Sequence, residues 1–322
     1  MNSLPRAAIL GATGYAGAEL VRLLLGHPGI ALASVVSRSV AGQRLDTVHP
    51  GLAGLTDLVF EAPDAAGLAE HDVVFLAVPH GSAADWADQL DALGCNRIID
   101  LSSDHRHSAG WVYGQAEWLT DHVKSARRVA VPGCFATAIS LALAPFVAAG
   151  ALHGPVQCVA ATGSTGSGAT PRQGTHHPER FVNLKAYKVL SHQHTPEVET
   201  FLRGLGDFDR LHFVPLSAPL DRGILATLFF VLRPGATDPG ETLRAAYENH
   251  PLVRVRQQSP ELRHVRGTGF CDLYVARDGD QVTVLAALDN LGKGAAAQAV
   301  QCLNLTYGSP VNTGLEFAPC LP

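Results

Sequence analysis

A glycine-rich turn between an apolar run and a helical pattern is the feature that most constrains the fold of this chain. The turn, GATGYAG, carries Gly11, Gly14 and Gly17. It lies between a predicted strand at 7–10 and a predicted helix at 18–27. In such a unit the glycines allow a tight turn, close approach of a pyrophosphate and close helix packing, while free N–H groups bind the phosphates. The spacing predicts a dinucleotide site, and an ordinary glycine-rich turn is the alternative.

Strand and helix patterns alternate through the first half of the chain. Apolar runs at 30–37, 72–79 and 96–103 predict further strands, and the segment around 82–93 predicts a helix. Near-continuous apolar strands that alternate with helices indicate a parallel sheet that is covered on both faces. We therefore expect a Rossmann-type α/β nucleotide domain at the start of the chain.

The second half carries longer predicted strands than the first. They occupy residues 156–164, 209–220, 224–234, 271–279 and 280–290. Asp278-Gly279-Asp280 separates the last two and is typical of a hairpin turn. Helices are predicted near 238–249 and 292–308, so the whole indicates an α+β domain with a mixed sheet. The length of 322 residues also favours two domains, at about 150 residues each.

Charge and composition exclude several classes of protein. The net charge of -5 and the pI near 6.3 argue against a protein that coats nucleic acid or an anionic membrane. The apolar runs are shorter than the roughly 18 residues of a membrane span, and the first residues lack a signal-peptide pattern. Six scattered cysteines form no C-x-x-C pair. We expect a cytoplasmic protein with no nucleic-acid or membrane partner.

The end of the second predicted strand indicates which dinucleotide binds. Ser37, Arg38 and Ser39 stand there, about twenty residues after Gly17, where an NAD site usually carries an acidic residue. A guanidinium can instead pair with a ribose 2′-phosphate through a forked, charge-assisted contact. We therefore expect NADP(H), with a solvated surface arginine as the alternative. The candidate cofactor-binding residues of this half are Gly11, Thr13, Gly14, Tyr15, Ala16, Gly17, Ser37, Arg38, Ser39 and Pro79.

Cys134 stands between a Pro-Gly turn and the helical pattern ATAISLALAPF. The N-terminus of a helix stabilises a thiolate through its dipole and unpaired N–H groups, so this position predicts a nucleophile. A buried structural cysteine is the alternative. A thiolate beside a nicotinamide can form a thioester from an activated acyl group, and hydride then reduces the thioester to an aldehyde. This chemistry also needs an acid–base group.

The stretch AYKVLSHQHTPEVE supplies candidates for that group. His192 and His194 flank a glutamine, and Tyr187 precedes them. Histidine titrates near neutral pH, so His192 is the candidate acid–base residue. A metal site that includes His176 and His177 is a rival, as are simple surface histidines. H-x-H alone is a weak metal signal, and we expect no metal.

A second glycine-rich loop, ATGSTGSGATPR, is the candidate phosphate site. Its hydroxyls, free backbone amides and single arginine suit a leaving phosphate, with a flexible connection as the alternative. The candidate residues are Ser164, Gly166, Ser167 and Arg172. Arg222, in PLDRGILAT, can hold a substrate carboxylate or form a structural salt bridge.

Taken in order, nine segments resemble the N-acetyl-gamma-glutamyl-phosphate reductase family of arginine biosynthesis. They are GATGYAGAEL, SRSVAG, FLAVPHG, IDLSSDHR, YGQAE, PGCFATA, HQHTPEVE, PLDRGILAT and DNLGKGAAAQAVQ. The resemblance implies a semialdehyde dehydrogenase-like fold and NADPH-dependent reduction of N-acetyl-L-glutamyl 5-phosphate, a small acyl phosphate, to the semialdehyde with release of phosphate. It implies an NADP-binding domain at 1–145 and 293–322, a catalytic and oligomerisation domain at 146–292, and a homodimer or homotetramer.

The resemblance also carries residue roles. It places the nucleophile on Cys134, the acid–base histidine on His192 with Tyr187 nearby, the 2′-phosphate contacts on Ser37 and Arg38, and a nicotinamide neighbour on Asn290.

Two departures from the family pattern leave alternatives open. Val131 stands where the family commonly has asparagine before Pro-Gly-Cys, so another donor must replace that amide. The THHPER segment is similar to the lysine-pathway paralogue, which acts on a carrier-linked aminoadipyl phosphate, and a succinylated substrate is also compatible. A cysteine–histidine hydrolase and a non-catalytic NADP-binding regulator are the rivals from other classes.

Overall fold

Two seven-stranded sheets organise residues 4–320, the part of the chain that this computed structural model describes. The first unit comprises the residues up to Gly133 together with Ala295–Glu316, and the second comprises Cys134–Gly294 and the residues from Phe317 onward. This division differs from the expected boundary at 145. The reason is that the helix Cys134–Ala148 packs on strands of the second sheet.

The sheet of the first unit is parallel throughout and has the order β3-β2-β1-β4-β5-β7-β6. Its strands are β1 (Arg6–Leu10), β2 (Ala31–Val36), β3 (Phe60–Glu61), β4 (Val73–Leu76), β5 (Ile98–Asp100), β6 (Val112–Tyr113) and β7 (Arg128–Ala130). The sequence pattern predicted β1, β2, β4 and β5. It missed the other three, which are only two or three residues long.

Helices complete the first unit. They are α1 (Tyr15–Leu25), α2 (Leu45–Val48), α3 (Ala65–Ala69), α4 (Ala83–Ala92) and α5 (Thr120–Lys124). Helix α1 buries Leu20, Val21 and Leu24, and its apolar spacing is that of a helix face packed on a sheet. The strands are apolar on both sides, and all four residues of β4 are buried, as expected for a covered parallel sheet.

The sheet of the second unit is mixed and has the order β12-β13-β14-β11-β8-β10-β9. Its strands are β8 (Leu152–Thr162), β9 (Lys185–Ala186), β10 (Leu211–Ser217), β11 (Ile224–Leu232), β12 (Val253–Val255), β13 (Cys271–Asp278) and β14 (Gln281–Leu288). Strands β8 and β10 are parallel neighbours, which brings their carboxyl ends together. The predicted hairpin is confirmed, because β13 and β14 pair antiparallel around Gly279.

The second unit contains α6 (Cys134–Ala148), α7 (His177–Arg180), α8 (His194–Leu205) and α9 (Pro239–Tyr247). Helix α6 is buried along nearly its whole length, so it forms the centre of this unit's core. Helix α8 was not predicted, although Val198, Phe201 and Leu202 form a buried face at helical spacing.

The end of the chain returns to the first unit as α10 (Ala297–Thr306). A short π-helix, Gly292–Ala296, precedes it, so the single predicted helix at 292–308 is divided in two. Among residues 4–320, none of the helices combines the length and the apolarity that a membrane span requires.

Candidate active site

Cys134 is the first residue of α6, and its side chain is partly exposed. Four other cysteines, Cys95, Cys158, Cys271 and Cys302, are buried. Burial raises the pKa of the Cys158 and Cys95 thiols, so these sulfurs stay protonated and unreactive. The helix start therefore presents a thiol in the setting that suits a nucleophile.

His192 lies beside the start of α6 in a cluster of rings. Its ring is 4% exposed. Four rings lie edge-on to the imidazole of His192. Their centroids are 5.5 Å (Phe135), 5.7 Å (Tyr187), 4.7 Å (His194) and 5.4 Å (Phe213) from the centroid of that ring. Because Phe135 directly follows Cys134 in α6, the imidazole and the thiol belong to the same part of the second unit.

The hydrogen bonding of His192 fixes its tautomer. Its Nδ1 accepts the backbone N–H of His194 at 3.1 Å. Burial, and then the positive charge of Lys188, lower the pKa of His192 to about 4. At neutral pH the ring is therefore uncharged and carries its proton on Nε2. In this state His192 can donate a hydrogen bond from Nε2 to a developing oxyanion. It holds no second proton to transfer, so the general-acid role expected from the sequence is reduced to that of a hydrogen-bond donor.

Replacement of His192 by asparagine should change how stability depends on pH. The pKa of histidine is 6.5 unperturbed and about 4 for His192 in the folded protein, so below pH 6.5 the unfolded chain takes up a proton that the folded chain excludes. Stability from this group is complete above pH 6.5 and is lost as the pH falls toward 4. When the pH falls from 7.5 to 5, we expect the free energy of unfolding to decrease by on the order of 2 kcal/mol more in the wild type than in His192→Asn.

Urea unfolding of both proteins at the two pH values, followed by circular dichroism, measures this difference. Equal losses of stability in the wild type and the variant would contradict a buried, neutral His192.

Tyr187 keeps its phenolic proton in this site. Burial raises its pKa, the charge of Cys134 raises it further, and Arg180 opposes both effects. The Tyr187 ring lies 5.7 Å from the His192 ring, centroid to centroid. Tyr187 is thus a second neutral hydrogen-bond donor, beside His192.

The second glycine-rich loop is tied down by its own backbone. The N–H groups of Gly163, Ser164 and Thr165 donate to carbonyls of the turn at 220–223, at 3.0, 2.8 and 3.1 Å. The expectation that these amides are free to hold a phosphate is therefore wrong for all three. Ser164 is half-buried in this loop. The remaining candidates of the loop and the segment after it, Gly166, Ser167 and Arg172, are exposed.

Arg222 forms an ion pair with Asp289. Its Nε lies 2.9 Å from Asp289 Oδ2 and its Nη2 lies 3.0 Å from Oδ1. Asp289 is fully buried and also accepts the N–H of Leu291 at 2.8 Å and of Gly267 at 2.6 Å. The sequence left two roles open for Arg222, a contact to a substrate carboxylate and a structural salt bridge. The structure has the salt bridge.

Asn290 connects the glycine-rich loop to the neighbouring turn. Its Oδ1 accepts the N–H of Gly223 at 2.7 Å, and its Nδ2 donates to Thr165 Oγ1 at 2.9 Å. The Thr165 hydroxyl in turn donates to the Asp221 carbonyl at 2.7 Å. These bonds hold the loop at the carboxyl end of β8 in one conformation.

The expected cofactor-binding residues of the first unit lie at one edge of the parallel sheet. Gly11 follows β1, Ser37 follows β2 and Pro79 comes after β4, and these three strands are neighbours. The carboxyl ends of neighbouring parallel strands form the crevice in which dinucleotides bind in such sheets. The sequence-based candidates are thus brought together within this unit.

The glycine turn has the geometry that its sequence predicted. Gly11 adopts φ +94°, and a Cβ there would collide with the Ala77 carbonyl. A Cβ at Gly17 would lie 2.8 Å from the Ala12 Cα, so only glycine allows α1 to pack this closely. Gly14 precedes the first residue of α1, and the side chain of Tyr15 at that first position is 43% exposed. Thr13 and Ala16 lie in the same turn.

The arginine that follows β2, Arg38, is accessible to a ligand. Arg38 is exposed, and within residues 4–320 no carboxylate forms an ion pair with it. Ser37 Oγ and Ser39 Oγ lie 3.2 Å apart. The arrangement offers one guanidinium and two hydroxyls together, with no acidic side chain among the three residues.

Sequence reasoning missed two residues with contacts of functional interest. The Nε2 of His49 donates to the Ala12 carbonyl at 2.9 Å and so braces the glycine turn. Arg180, the last residue of α7, lies against the ends of β8 and β10. His49 belongs to none of the motifs found in the sequence, and Arg180 ends the THHPER segment, whose similarity to the paralogue gave this arginine no role. Only the folded chain brings the two residues to these positions.

Two further expectations concern Val131 and a metal. The N–H of Val131 donates to the Asp100 carbonyl at 2.8 Å, so this amide is not the donor that replaces the family's asparagine. In the described part of the chain, no three His, Cys, Asp or Glu side chains form a cluster suited to a metal ion. His176 and His177 are exposed, whereas His192 and His194 are buried.

Comparison with known proteins decides the family. Residues 6–126 match the model of the semialdehyde dehydrogenase NAD binding domain, and residues 134–290 match that of the semialdehyde dehydrogenase dimerisation domain. The chain is 42% identical over 330 residues to N-acetyl-gamma-glutamyl-phosphate reductase of Methanocella arvoryzae, covering 96% of this chain and 97% of that protein. The enzyme of the same name from Salinispora arenicola is 43% identical, with 97% of each chain covered. The chain belongs to the N-acetyl-gamma-glutamyl-phosphate reductase family.

Solved structures of low sequence identity share the fold of this N-acetyl-gamma-glutamyl-phosphate reductase family member. Aspartate semialdehyde dehydrogenase II of Vibrio cholerae has a TM-score of 0.78 at 15% identity, covering 95% of this chain and 99% of that one. Aspartate semialdehyde dehydrogenase with NADP from Candida albicans has a TM-score of 0.66 at 15% identity, covering 94% and 100%. The expected semialdehyde dehydrogenase-like α/β fold is confirmed.

Proposed function

We propose that this protein reduces N-acetyl-L-glutamyl 5-phosphate to N-acetyl-L-glutamate 5-semialdehyde with NADPH and releases phosphate. The observation that carries the proposal is the thiol of Cys134 at the start of α6, in a member of this family. The neutral donors His192 and Tyr187 lie in the same part of the second unit, with the His192 ring next to Phe135. We assign cofactor binding to the first unit and substrate binding to the second.

Cys134 begins the reaction by attacking the acyl carbon. A sulfur–carbon bond forms, and the carbonyl oxygen becomes an oxyanion that the Nε2–H of His192 stabilises by a hydrogen bond. The bond from carbon to the phosphate oxygen then breaks. Phosphate leaves with its electron pair and takes up one proton, and a thioester remains on Cys134.

The same donor serves the second half of the reaction. When bound, the reduced nicotinamide supplies the hydride that the thioester needs. His192 again donates its hydrogen bond to the oxygen that gains charge, and Cys134 departs as a thiolate when the aldehyde forms. Because a neutral donor suffices for both oxyanions, the low pKa of His192 fits this role. A reducing compartment such as the cytoplasm, where we place the enzyme, would keep this thiol reduced.

The residues at the end of β2 fit a 2′-phosphate better than a 2′-hydroxyl. Arg38 is a cation without an ion-pair partner in residues 4–320, and Ser37 and Ser39 add hydroxyl donors. These side chains would hold the 2′-phosphate of NADPH through charge-assisted hydrogen bonds. The glycine turn after β1 would accept the pyrophosphate.

Charge reversal at Arg38 tests the choice of cofactor. We expect Arg38→Glu to weaken NADPH binding by about 100-fold, since an attractive charged pair is replaced by repulsion, and to leave NADH binding nearly unchanged. Fluorescence titration with both nucleotides measures the two dissociation constants. Arg22→Glu, in the last turn of α1 away from the glycine turn, is the matched control. Equal effects of Arg38→Glu on NADPH and NADH would contradict the assignment.

We further propose that the second unit assembles with a second copy of the chain as a homodimer, alone or within a tetramer. The support is the description of its matching family model and an exposed apolar segment between α7 and α8. Phe181, Val182 and Leu184 are 65%, 77% and 60% exposed there, and exposed apolar side chains that lie together are typical of an interaction surface. Light scattering during gel filtration tests this proposal, and a monomeric mass at micromolar concentration would contradict it.

The reverse reaction tests the proposed substrate. Purified enzyme is given phosphate, NADP⁺ and one semialdehyde from a panel that includes N-acetyl-glutamate, N-succinyl-glutamate and N-acetyl-aminoadipate semialdehydes. We expect phosphate-dependent formation of NADPH, fastest with the N-acetyl-glutamate compound. Preference for another semialdehyde would overturn the substrate assignment, and reduction of NAD⁺ in preference to NADP⁺ would overturn the cofactor.

A further inference from the structure

Arg180 spans the carboxyl ends of two parallel strands in the second unit. Its Nη1 donates to Ser217 Oγ, and its Nη2 donates to the Ala218 carbonyl at 2.9 Å and the Thr162 carbonyl at 3.5 Å. Thr162 ends β8 and Ser217 ends β10. The guanidinium is thus held across the ends of both strands.

The charge of Arg180 has no counter-ion among the described residues. Its protein acceptors are two carbonyls and a hydroxyl, and within residues 4–320 no carboxylate forms an ion pair with it. Its Nε is buried with no hydrogen-bond partner. Burial lowers the pKa of Arg180, but a guanidinium stays charged in a protein. A half-buried cation that faces only neutral acceptors is favourable when an anionic ligand completes its coordination.

Arg180 belongs to the surroundings of Cys134. The Tyr187 ring lies 5.7 Å from the His192 ring, which lies 5.5 Å from the ring of Phe135, the residue after Cys134. Tyr187 directly follows β9, which pairs with β10 at Ser217, the residue that holds Arg180. The cation, the phenol and the thiol are therefore parts of one cluster.

Part of the glycine-rich loop has no backbone donors to offer an acyl phosphate. Three of its successive N–H groups, from Gly163 to Thr165, are bonded to carbonyls at 220–223. The loop begins directly after Thr162, so its tied backbone lies next to the guanidinium. A side chain at this strand end can supply the charge that these bonded amides cannot. Arg180 is half-buried here, whereas Arg172 is exposed.

We propose that Arg180 binds the phosphoryl group of the acyl phosphate and holds it while Cys134 displaces it. The inference rests on the proposed function. Arg180 forms no covalent bond: its Nη1 keeps one N–H beyond the bond to Ser217, and this N–H pairs with a phosphate oxygen. The guanidinium charge then offsets the charge that grows as the carbon–oxygen bond breaks. The same pairing positions inorganic phosphate for attack on the thioester when the reaction runs in reverse.

Steady-state kinetics of semialdehyde oxidation with varied inorganic phosphate tests this role. We expect Arg180→Gln to raise the KM for phosphate at least about 10-fold, the loss of one charge-assisted contact. The first turnover of NADP⁺ in the absence of phosphate should stay within about twofold of wild type, because that half-reaction involves no phosphate. Arg210→Gln, an exposed arginine just before β10 at its opposite end, is the matched control.

Each other outcome overturns the inference. An unchanged KM for phosphate in Arg180→Gln, a rise in the KM for the semialdehyde alone, or a rise confined to Arg172→Gln would do so. If Arg180→Gln does not fold, Arg180→Lys is measured instead. A lysine lacks the planar guanidinium, so the KM for phosphate should rise about fivefold. An unchanged KM for phosphate would overturn the inference. Absence of a first turnover in the wild type would contradict the proposed function itself.

Discussion

Replacement of Cys134 by alanine is expected to reduce turnover by at least about 1,000-fold, because no covalent intermediate can form without the nucleophile. The four buried cysteines cannot substitute, since their sulfurs are enclosed in the core. Binding of NADPH should change by less than about twofold, because Cys134 begins the second unit and the residues proposed to bind the pyrophosphate and the 2′-phosphate belong to the first.

Two measurements check the prediction for Cys134→Ala: kcat in the reverse assay and the dissociation constant of NADPH by fluorescence titration. Cys320→Ala, which removes the exposed thiol near the end of the chain, is the control and should retain full activity. More than about a tenth of wild-type turnover in Cys134→Ala would contradict thioester chemistry.

Replacement of Asp289 by alanine is expected to destabilise the protein by about 3–5 kcal/mol, because it leaves the charge of Arg222 without its buried partner. Asp289 is fully buried and pairs with Arg222, and its carboxylate also accepts two or more backbone N–H groups. Loss of so many bonds at once also loosens Asn290 and the loop that Asn290 holds.

Urea unfolding followed by circular dichroism measures the effect of Asp289→Ala. Asp221→Ala is the matched control, because Asp221 pairs with Arg266 where both side chains are more than half exposed. An exposed pair contributes about 0–1 kcal/mol. Equal losses of stability in the two variants would contradict the role given to the buried pair.

The fold followed from the sequence where burial dictated the residue types. Strands such as β4 are apolar at every position because they are covered on both faces, so they were predicted as strands of a covered parallel sheet. The glycine turn was predicted because the backbone at Gly11 and the packing at Gly17 exclude a side chain. Helix α8 was missed. Its buried apolar residues Val198, Phe201 and Leu202 have helical spacing, but polar residues lie between and around them in the sequence.

The site was predictable only as far as single positions carry information. The Pro-Gly turn before Cys134 indicated a helix start, and the structure has α6 beginning at that residue. The tautomer of His192, the bonded amides of the glycine-rich loop and the pairing of Arg222 depend on partners that folding brings together. Arg180 reaches an acceptor 37 residues away, and no local pattern encodes such a contact.

The most direct test of the account is to isolate the acyl-enzyme. The wild-type protein is mixed with N-acetyl-L-glutamate 5-semialdehyde and NADP⁺ in the absence of phosphate, quenched in acid and analysed by intact and peptide mass spectrometry. The account predicts NADPH in stoichiometric amount and an N-acetyl-glutamyl group on the peptide that contains Cys134, which addition of phosphate removes. An unmodified Cys134 after NADPH has formed, or the acyl group on a different residue, would contradict it.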